Sequence, residues 1–413
     1  MNLAQMAWRN VWRRKRRTLI TAFSIGFGVL LAATFTGMAV YMYGNMIDAS
    51  AATGFGHVTI EPAGYNRTPT LDKRLSDSAR LRQEVLVEPG VKAAMVRIMG
   101  QAMFASAAKS VGGMFLAIDP QQESAEYNLL IRSMVKGRVF PNRTGTGIVV
   151  GRKLADKLNL RIGKKLVYTT TDTNGEIVSE IARVSGMFAT GVSEIDTGMV
   201  LLPIDRVRKV LAYAPDEATL LATMLLDQRK SDKLRQRLED RVGGAGREVL
   251  SWRQTQADLA GMITIDGSSN YISQFLVALL IAAGVLNTLL MSVLERSREF
   301  GVMMAIGMSS RRLFRLVMVE SIWLALIGLT IGIALTAPVY WYLDIYGLDF
   351  SSMLGGEDYS VSGVLVDPVM RIRLHAESIT TILSIVFGLA LLSGIYPAWR
   401  AGHIPPIESL RTI

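Results

Sequence analysis

Residues 19–43 carry no charged side chain. Wound as a helix at about 1.5 Å per residue they reach roughly 37 Å, more than the ~30 Å of bilayer hydrocarbon. Three further runs share this character: 272–294 and 379–396 are free of charge, and 316–342 holds a single charged residue, Glu320. Four such runs predict a membrane α-helical protein with spans at 19–43, 272–294, 316–342 and 379–396. A cleaved leader is the other reading of the first run, helped by the triplet Ala49, Ser50 and Ala51 behind it. The apolar part of a leader is only about 7–15 residues long, which favours a retained span. Ser24, Gly26, Gly28, Ala32 and Ala33, and the pair Gly328 and Gly332, predict faces where helices approach closely. Glu320 reads either as a functional acid or as a group near the cytoplasmic interface; lying five residues from Arg315, it is expected at the interface, where it can pair.

Charge orients these spans. The net charge of +10 falls on 1–18, 295–315 and 397–413, which together hold thirteen Lys and Arg against Glu295, Glu299 and Glu408. Basic residues beside spans stay in the cytoplasm, so these segments are assigned there, with 48–269 and 344–378 on the outer side. On the basic segment 1–18, Trp8 and Trp12 are four apart and predict an amphipathic helix at the headgroup level. No basic stripe is interleaved with aromatics, which speaks against nucleic acid as a partner. The chain lacks cysteine, and its histidines, His57, His375 and His403, are scattered. Neither a catalytic set nor a metal site is predicted, and no Walker A pattern is present for ATP binding.

Between the first two spans, residues 48–269 hold no run long enough to cross a bilayer and read as an α+β domain. Alternation predicts strands at 57–61, 111–118, 147–151, 166–171, 177–187 and 198–202, with helices at 153–160, 205–213 and 230–242. Asn174-Gly175 predicts a hairpin turn within 171–176. Gly145, Gly147 and Gly151 superficially suggest a dinucleotide loop, but the spacing is G-x-G-x-x-x-G and no acidic partner follows where that fold needs one. A second outer loop, 344–378, includes a strand-like piece at 361–366.

The segment 294–315 joins the second and third spans. Its charges crowd both ends, and Phe300, Met303, Met304 and Gly307 recur at i, i+3, i+4 and i+7, which predicts a short amphipathic helix on the cytoplasmic face; an ordinary basic loop obeying the positive-inside rule is the competing reading. The order E-R-x-x-E-x-G-x-x-x-A-x-G, at Glu295, Arg296, Glu299, Gly301, Ala305 and Gly307, resembles the cytoplasmic loop of the permease family that includes FtsX, MacB and the lipoprotein-releasing subunits LolC and LolE. A second likeness closes the chain. The ending resembles that family's Y-P-A-x-R-A-x-x-x-x-P-x-E-x-L-R, matched at Tyr396, Pro397, Ala398, Arg400, Ala401, Pro406, Glu408, Leu410 and Arg411. The stretch 147–166 is similar to a strand–helix–strand element of the family's periplasmic domain, in which Gly151, Leu154, Ala155, Leu158 and Gly163 would serve folding. Chain length and the absence of a fused ATPase look most like LolC and LolE.

The resemblance implies four transmembrane helices in a bacterial inner membrane, with a large MacB-like α+β periplasmic domain between the first and second. It implies that the six loop residues named above form an ATPase-coupling helix. ATP and magnesium would sit on a cytosolic ABC ATPase dimer, with no cofactor in this chain. A second permease subunit, identical or different, would complete the complex. The implied activity is release of lipoproteins by mechanotransmission, with a lipoprotein substrate and a periplasmic carrier as further partners. The alternatives within the family are MacB-like export of a hydrophobic molecule and FtsX-like control of a periplasmic hydrolase. Acyl chains would be held by the outer halves of the first two spans, at Phe35, Met38, Met42, Met46, Tyr271, Phe275 and Leu279. Plain helix packing or lipid contact is the competing role for each of these.

Overall fold

The computed structural model describes residues 3–107, 109–244, 246–350, 360–361, 364–365 and 369–403. Pro406, Glu408, Leu410 and Arg411 of the closing motif lie outside the described residues. The chain divides into two units: Met1–Tyr41, Ile265–Asp349 and Val369–Ile413 form one, and Met42–Thr264 and Phe350–Pro368 form the other.

All four predicted spans are helices, and each is longer than its apolar run: Lys15–Ser50, Ala257–Glu295, Ser310–Ile345 and Ala376–Gly402. The first continues through a π turn, Ala51–Phe55. Once nucleated, a helix adds one backbone hydrogen bond per residue, so polar flanks extend it past the apolar limit. The outer-domain limit expected at residue 269 therefore falls inside the helix that starts at Ala257.

In the helical unit, the first and second long helices run antiparallel with contacts spaced about two turns apart. The Thr21 and Thr288 hydroxyls lie 2.8 Å apart, and Gln274 donates from Nε2 to Thr36 Oγ1 at 2.7 Å. Between them Gly28 faces Ile281 so closely that a Cβ there would lie 2.1 Å from the Ile281 side chain. A near-heptad spacing keeps one seam facing the partner helix. The first and third helices meet through the expected small residues: an added Cβ would lie 2.7 Å from Ile25 at Gly328 and 2.7 Å from Val29 at Gly332. At Gly26 it would lie 2.9 Å from the backbone nitrogen of Gly332. Ile25, Val29, Ile281, Val285, Leu324 and Val386 are buried where these helices and the fourth converge. Helix Leu3–Arg13 precedes the first span, and its Ala7 and Val11 are buried.

The second unit is built on one large sheet. Its strands are β1 Val58–Pro62, β2 Val91–Ala105, β3 Ser110–Ile118, β4 Met134–Gly137, β5 Gly147–Gly151, β6 Lys165–Thr171, β7 Ile177–Phe188, β8 Met199–Pro203, β9 Leu220–Leu225 and β10 Arg247–Ser251. They lie in the order β10-β1-β9-β2-β3-β8-β5-β7-β4, with β6 bridging β2 and β7. The β3–β8 and β5–β7 pairs are parallel. The hairpin expected at 171–176 joins β6 to β7: Asp172 Oδ1 accepts from the Asn174 and Glu176 backbone N–H groups, and Gly175 takes φ +83°. Gly151 backs onto residue 196, where a Cβ would stand 2.1 Å from the Asp196 carbonyl oxygen. That glycine serves chain packing, as does the helix Arg152–Lys157 with Leu154 and Ala155 buried behind it.

Candidate functional site

The short helix between the second and third spans is Ser297–Ala305. The second helix ends at Glu295 and the chain turns at Arg296, whose φ of −105° is not helical. Its far end is set by Gly307: at φ +103°, which side chains with a Cβ rarely adopt, Gly307 lets Met308 N–H reach the Met303 carbonyl at 2.9 Å. Of the predicted apolar face, Phe300 and Met303 turn inward, Met304 is half-buried and Gly307 is exposed. Phe300 is fully buried with Val293, Leu313, Val317, Ala398 and Ala401, and Met303 and Met308 pack beside them.

The charged half of the motif is directed inward as well. Arg296 bridges two carboxylates, donating from Nε to Glu299 at 3.1 Å and from Nη1 to Glu320 at 3.0 Å. Glu320 also accepts from Asn10 Nδ2 at 2.7 Å, so this acid is paired. Glu299 accepts from Arg13 at 2.6 Å. Arg17 holds Glu295 through two contacts of 2.8 and 3.0 Å, and Arg14 pairs with the same carboxylate. Burial opposes ionisation of Glu299, but the hydrogen bonds from Arg296 and Arg13 outweigh it and hold that carboxyl below the usual range. These contacts form a clasp joining the N-terminal helix, the short helix and the third span. Arg296 and Gly301 of the motif are thus buried within the subunit and Glu299 is half-buried, while Glu295, though paired, is exposed together with Ala305 and Gly307. Beside them Ile306 is 82% and Val302 41% exposed. Sequence reasoning missed Val302 and Ile306, since an outward apolar residue on a nine-residue helix resembles any other. It also missed Asn10, Arg13, Arg14 and Arg17, because a basic run beside a span already has an explanation in orientation.

A second constellation lies in the α+β unit, where the chain enters and leaves the sheet. β1 and β10 pair antiparallel from Val58↔Ser251 to Pro62↔Arg247, and Trp252 N–H donates to the His57 carbonyl at 2.9 Å. His57 Nδ1 accepts from Leu225 N–H at 3.0 Å, which leaves its proton on Nε2, 2.9 Å from Asp48. The Ser50 hydroxyl donates to Gln256. At the π turn, the Gly54 carbonyl accepts from Arg97 Nη1 at 2.6 Å. Arg97 in turn makes a two-pronged pair with Glu123, at 2.7 and 2.8 Å, with both side chains fully buried. Residues 48–57 and 251–256 are therefore clamped to each other and to the sheet.

The same β1–β10 pair sets Glu61 directly opposite Glu248. Burial, and then the neighbouring Glu248 carboxylate, push Glu61 up to about 8. The folded state then binds a proton that the unfolded state releases above about pH 4.5, so stability declines as pH rises through 8. The melting temperature of the purified full chain is expected to drop roughly 5–10 °C between pH 5.5 and 8.5. Glu61→Gln should flatten this dependence, and an unchanged slope in that variant would count against the assignment.

Among the acyl-contact candidates, Phe35, Tyr271, Phe275 and Leu279 are exposed and Met38 is half-buried in the helical unit. Phe35 and Phe275 flank, in sequence, the bonded pair Thr36 and Gln274. Met42 and Met46 belong to the α+β unit. Met46 is only 1% exposed, which removes it from any lipid-contacting surface. Its helix turn leads into Asp48 and Ser50, whose bonds to His57 and Gln256 hold this end of the helix in the clamp.

Comparison with known proteins gives two family matches. Residues 18–241 match the MacB-like periplasmic core domain, and residues 271–406 match the FtsX-like permease C-terminal domain. Among similar proteins, the lipoprotein-releasing system transmembrane protein LolC of Xylella fastidiosa is 24% identical over 312 residues, 72% of each chain. The protein of the same name from Neisseria meningitidis is 22% identical over 405 residues, 95% of this chain and 94% of that one. An uncharacterized ABC transporter permease of Methanocaldococcus jannaschii is 21% identical over 425 residues, 99% and 98% of the two chains.

Proposed function

The chain belongs to the family of FtsX-like permeases with a MacB-like periplasmic core domain, and on that premise we propose that it releases lipoproteins from the bacterial inner membrane as one permease subunit of an ABC transporter. ATP is bound and hydrolysed by a separate cytosolic ATPase dimer, and a second permease subunit completes the complex. The observation that carries this reading is the helix Ala257–Glu295, which is unbroken from the residue after Gln256 to the residue before Arg296. One of its ends is fastened by the β1–β10 clamp and the other by the Arg296 clasp. Movement imposed on the exposed Val302, Ala305, Ile306 and Gly307 edge by the ATPase is carried along this helix to the sheet, a mechanical change of state coupled through packed elements. Proteins named for lipoprotein release align with this chain over most of its length, which supports that cargo class. Extraction of acyl chains costs about 0.8 kcal/mol per CH₂, so coupling to ATP hydrolysis suits such a cargo. Phe35, Phe275 and Leu279 offer the apolar surface.

The test is reconstitution with the partner ATPase in vesicles that carry a lipid-anchored protein. ATP-dependent release of that protein is expected, and Ile306→Asp should lower release and substrate-stimulated ATP turnover about tenfold or more while the protein stays inserted. Normal turnover in the variant would remove the docking role. Export of a hydrophobic small molecule with no lipoprotein release would overturn the cargo assignment.

A further inference from the structure

A groove of about 520 Å³ lies between the N-terminal helix and the third span, lined by Ala4, Gln5, Trp8, Arg9 and Trp323. We propose that it binds the headgroup of an anionic glycerophospholipid. Trp8 and Trp323 meet edge to face, with ring centroids 4.8 Å apart, and make an apolar wall. The indole N–H of Trp323 is buried and has no acceptor among the described residues. Buried donors in folded proteins are almost always satisfied, so this one calls for an acceptor from outside the chain.

Charge on the same helix points to what that acceptor is. Arg13, Arg14 and Arg17 are neutralised by Glu295 and Glu299. Arg9, at the groove, is exposed and forms no ion pair among the described residues. A groove lined by an exposed guanidinium and by a tryptophan whose indole N–H has no acceptor suits a phosphodiester, whose oxygens accept hydrogen bonds. Gln5 adds an amide that can bond to a glycerol hydroxyl or ester oxygen. The third span, Ser310–Ile345, is apolar enough to cross a membrane, so a lipid seated here can lay its acyl chains along that helix. Paired tryptophans at headgroup level are the usual companions of such a boundary.

The purified full chain should be titrated with dioleoyl-phosphatidylglycerol and, separately, with dioleoyl-phosphatidylcholine, and bound lipid counted by native mass spectrometry. The wild-type chain is expected to retain one phosphatidylglycerol with about tenfold preference over phosphatidylcholine. Arg9→Gln, which alters an exposed side chain, and Trp323→Phe, which keeps the ring and loses the donor, should each abolish most of that preference. Lys15→Gln with Arg16→Gln, basic residues outside the groove, should leave it unchanged. Undiminished preference in the first two variants would overturn the site. Equal loss in the Lys15/Arg16 variant would show diffuse attraction by the basic segment instead, and would overturn it equally.

Discussion

Replacing Arg97 with Met is expected to destabilise the α+β domain by about 3–5 kcal/mol, the usual result of stripping one partner from a buried ion pair. The Arg97 and Glu123 side chains are both fully buried, so no water reaches the carboxylate once the guanidinium is gone. Glu123 would keep one donor, Asn128 Nδ2 at 3.1 Å. Asn128 also caps the helix Leu129–Arg132, so a shift of Glu123 would disturb that cap. The carbonyls of Gly54 and Tyr127 would lose their Arg97 donors at the same time. The double variant Arg97→Met with Glu123→Leu should recover much of the loss, because an apolar pair carries no desolvation cost. Thermal or urea unfolding of the full chain measures both variants. If the double variant is no more stable than Arg97→Met alone, the pair is not the source of the effect.

Arg296→Met should produce a loss of similar size in the helical unit. It leaves Glu320 with Asn10 as its remaining described partner and takes one of two arginines from Glu299. The short helix then has Phe300 and its apolar neighbours to seat it, without the charge bridge that sets its angle. The expected outcome is an inserted protein of lower thermal stability, whose partner ATPase still turns over ATP but no longer responds to substrate. Arg296→Lys should rescue only partly, since one ammonium is not a planar fork that reaches both carboxylates. Arg296→Met combined with Glu320→Leu should restore thermal stability more than it restores coupling, because Glu299 remains without its bridge. Full coupling in Arg296→Met would show that the clasp is dispensable.

The elements of the two units differ in how readily they are recognised. Strand β6 and the first part of β7 alternate, with one face buried and the other wet, and they and the Asn174-Gly175 turn lie where the pattern predicts; β5, buried from Ile148 to Gly151, lies where predicted without a wet face. Strand β2, the longest in the sheet, escapes that reading. From Ala93 to Gly100 every residue is buried, so the run has no polar face to give a period of two, and its Ala and Met residues are weak strand formers. Strand β9 is buried at every position for the same reason. Strand β10 is short, and the helix Ser78–Leu86 has a left-handed Asp77 before it instead of a capping side chain. In the segment 294–315 the motif's Arg296 and Glu299 serve the clasp, while its Ala305 and Gly307 share the exposed edge with Val302 and Ile306 outside the motif.

The sequence alone determined the four spans and the insertion of an α+β domain after the first span. Those properties follow from hydropathy, charge and turn chemistry, which add up residue by residue along the chain. Only the tertiary structure decided which charges meet. Arg13 and Glu299 are 286 residues apart, and Arg97 finds the Gly54 carbonyl through a fold that no local pattern encodes. An ion pair depends on where packing brings two side chains, so the pairs that fasten the Ala257–Glu295 helix became visible only once its neighbours were in place.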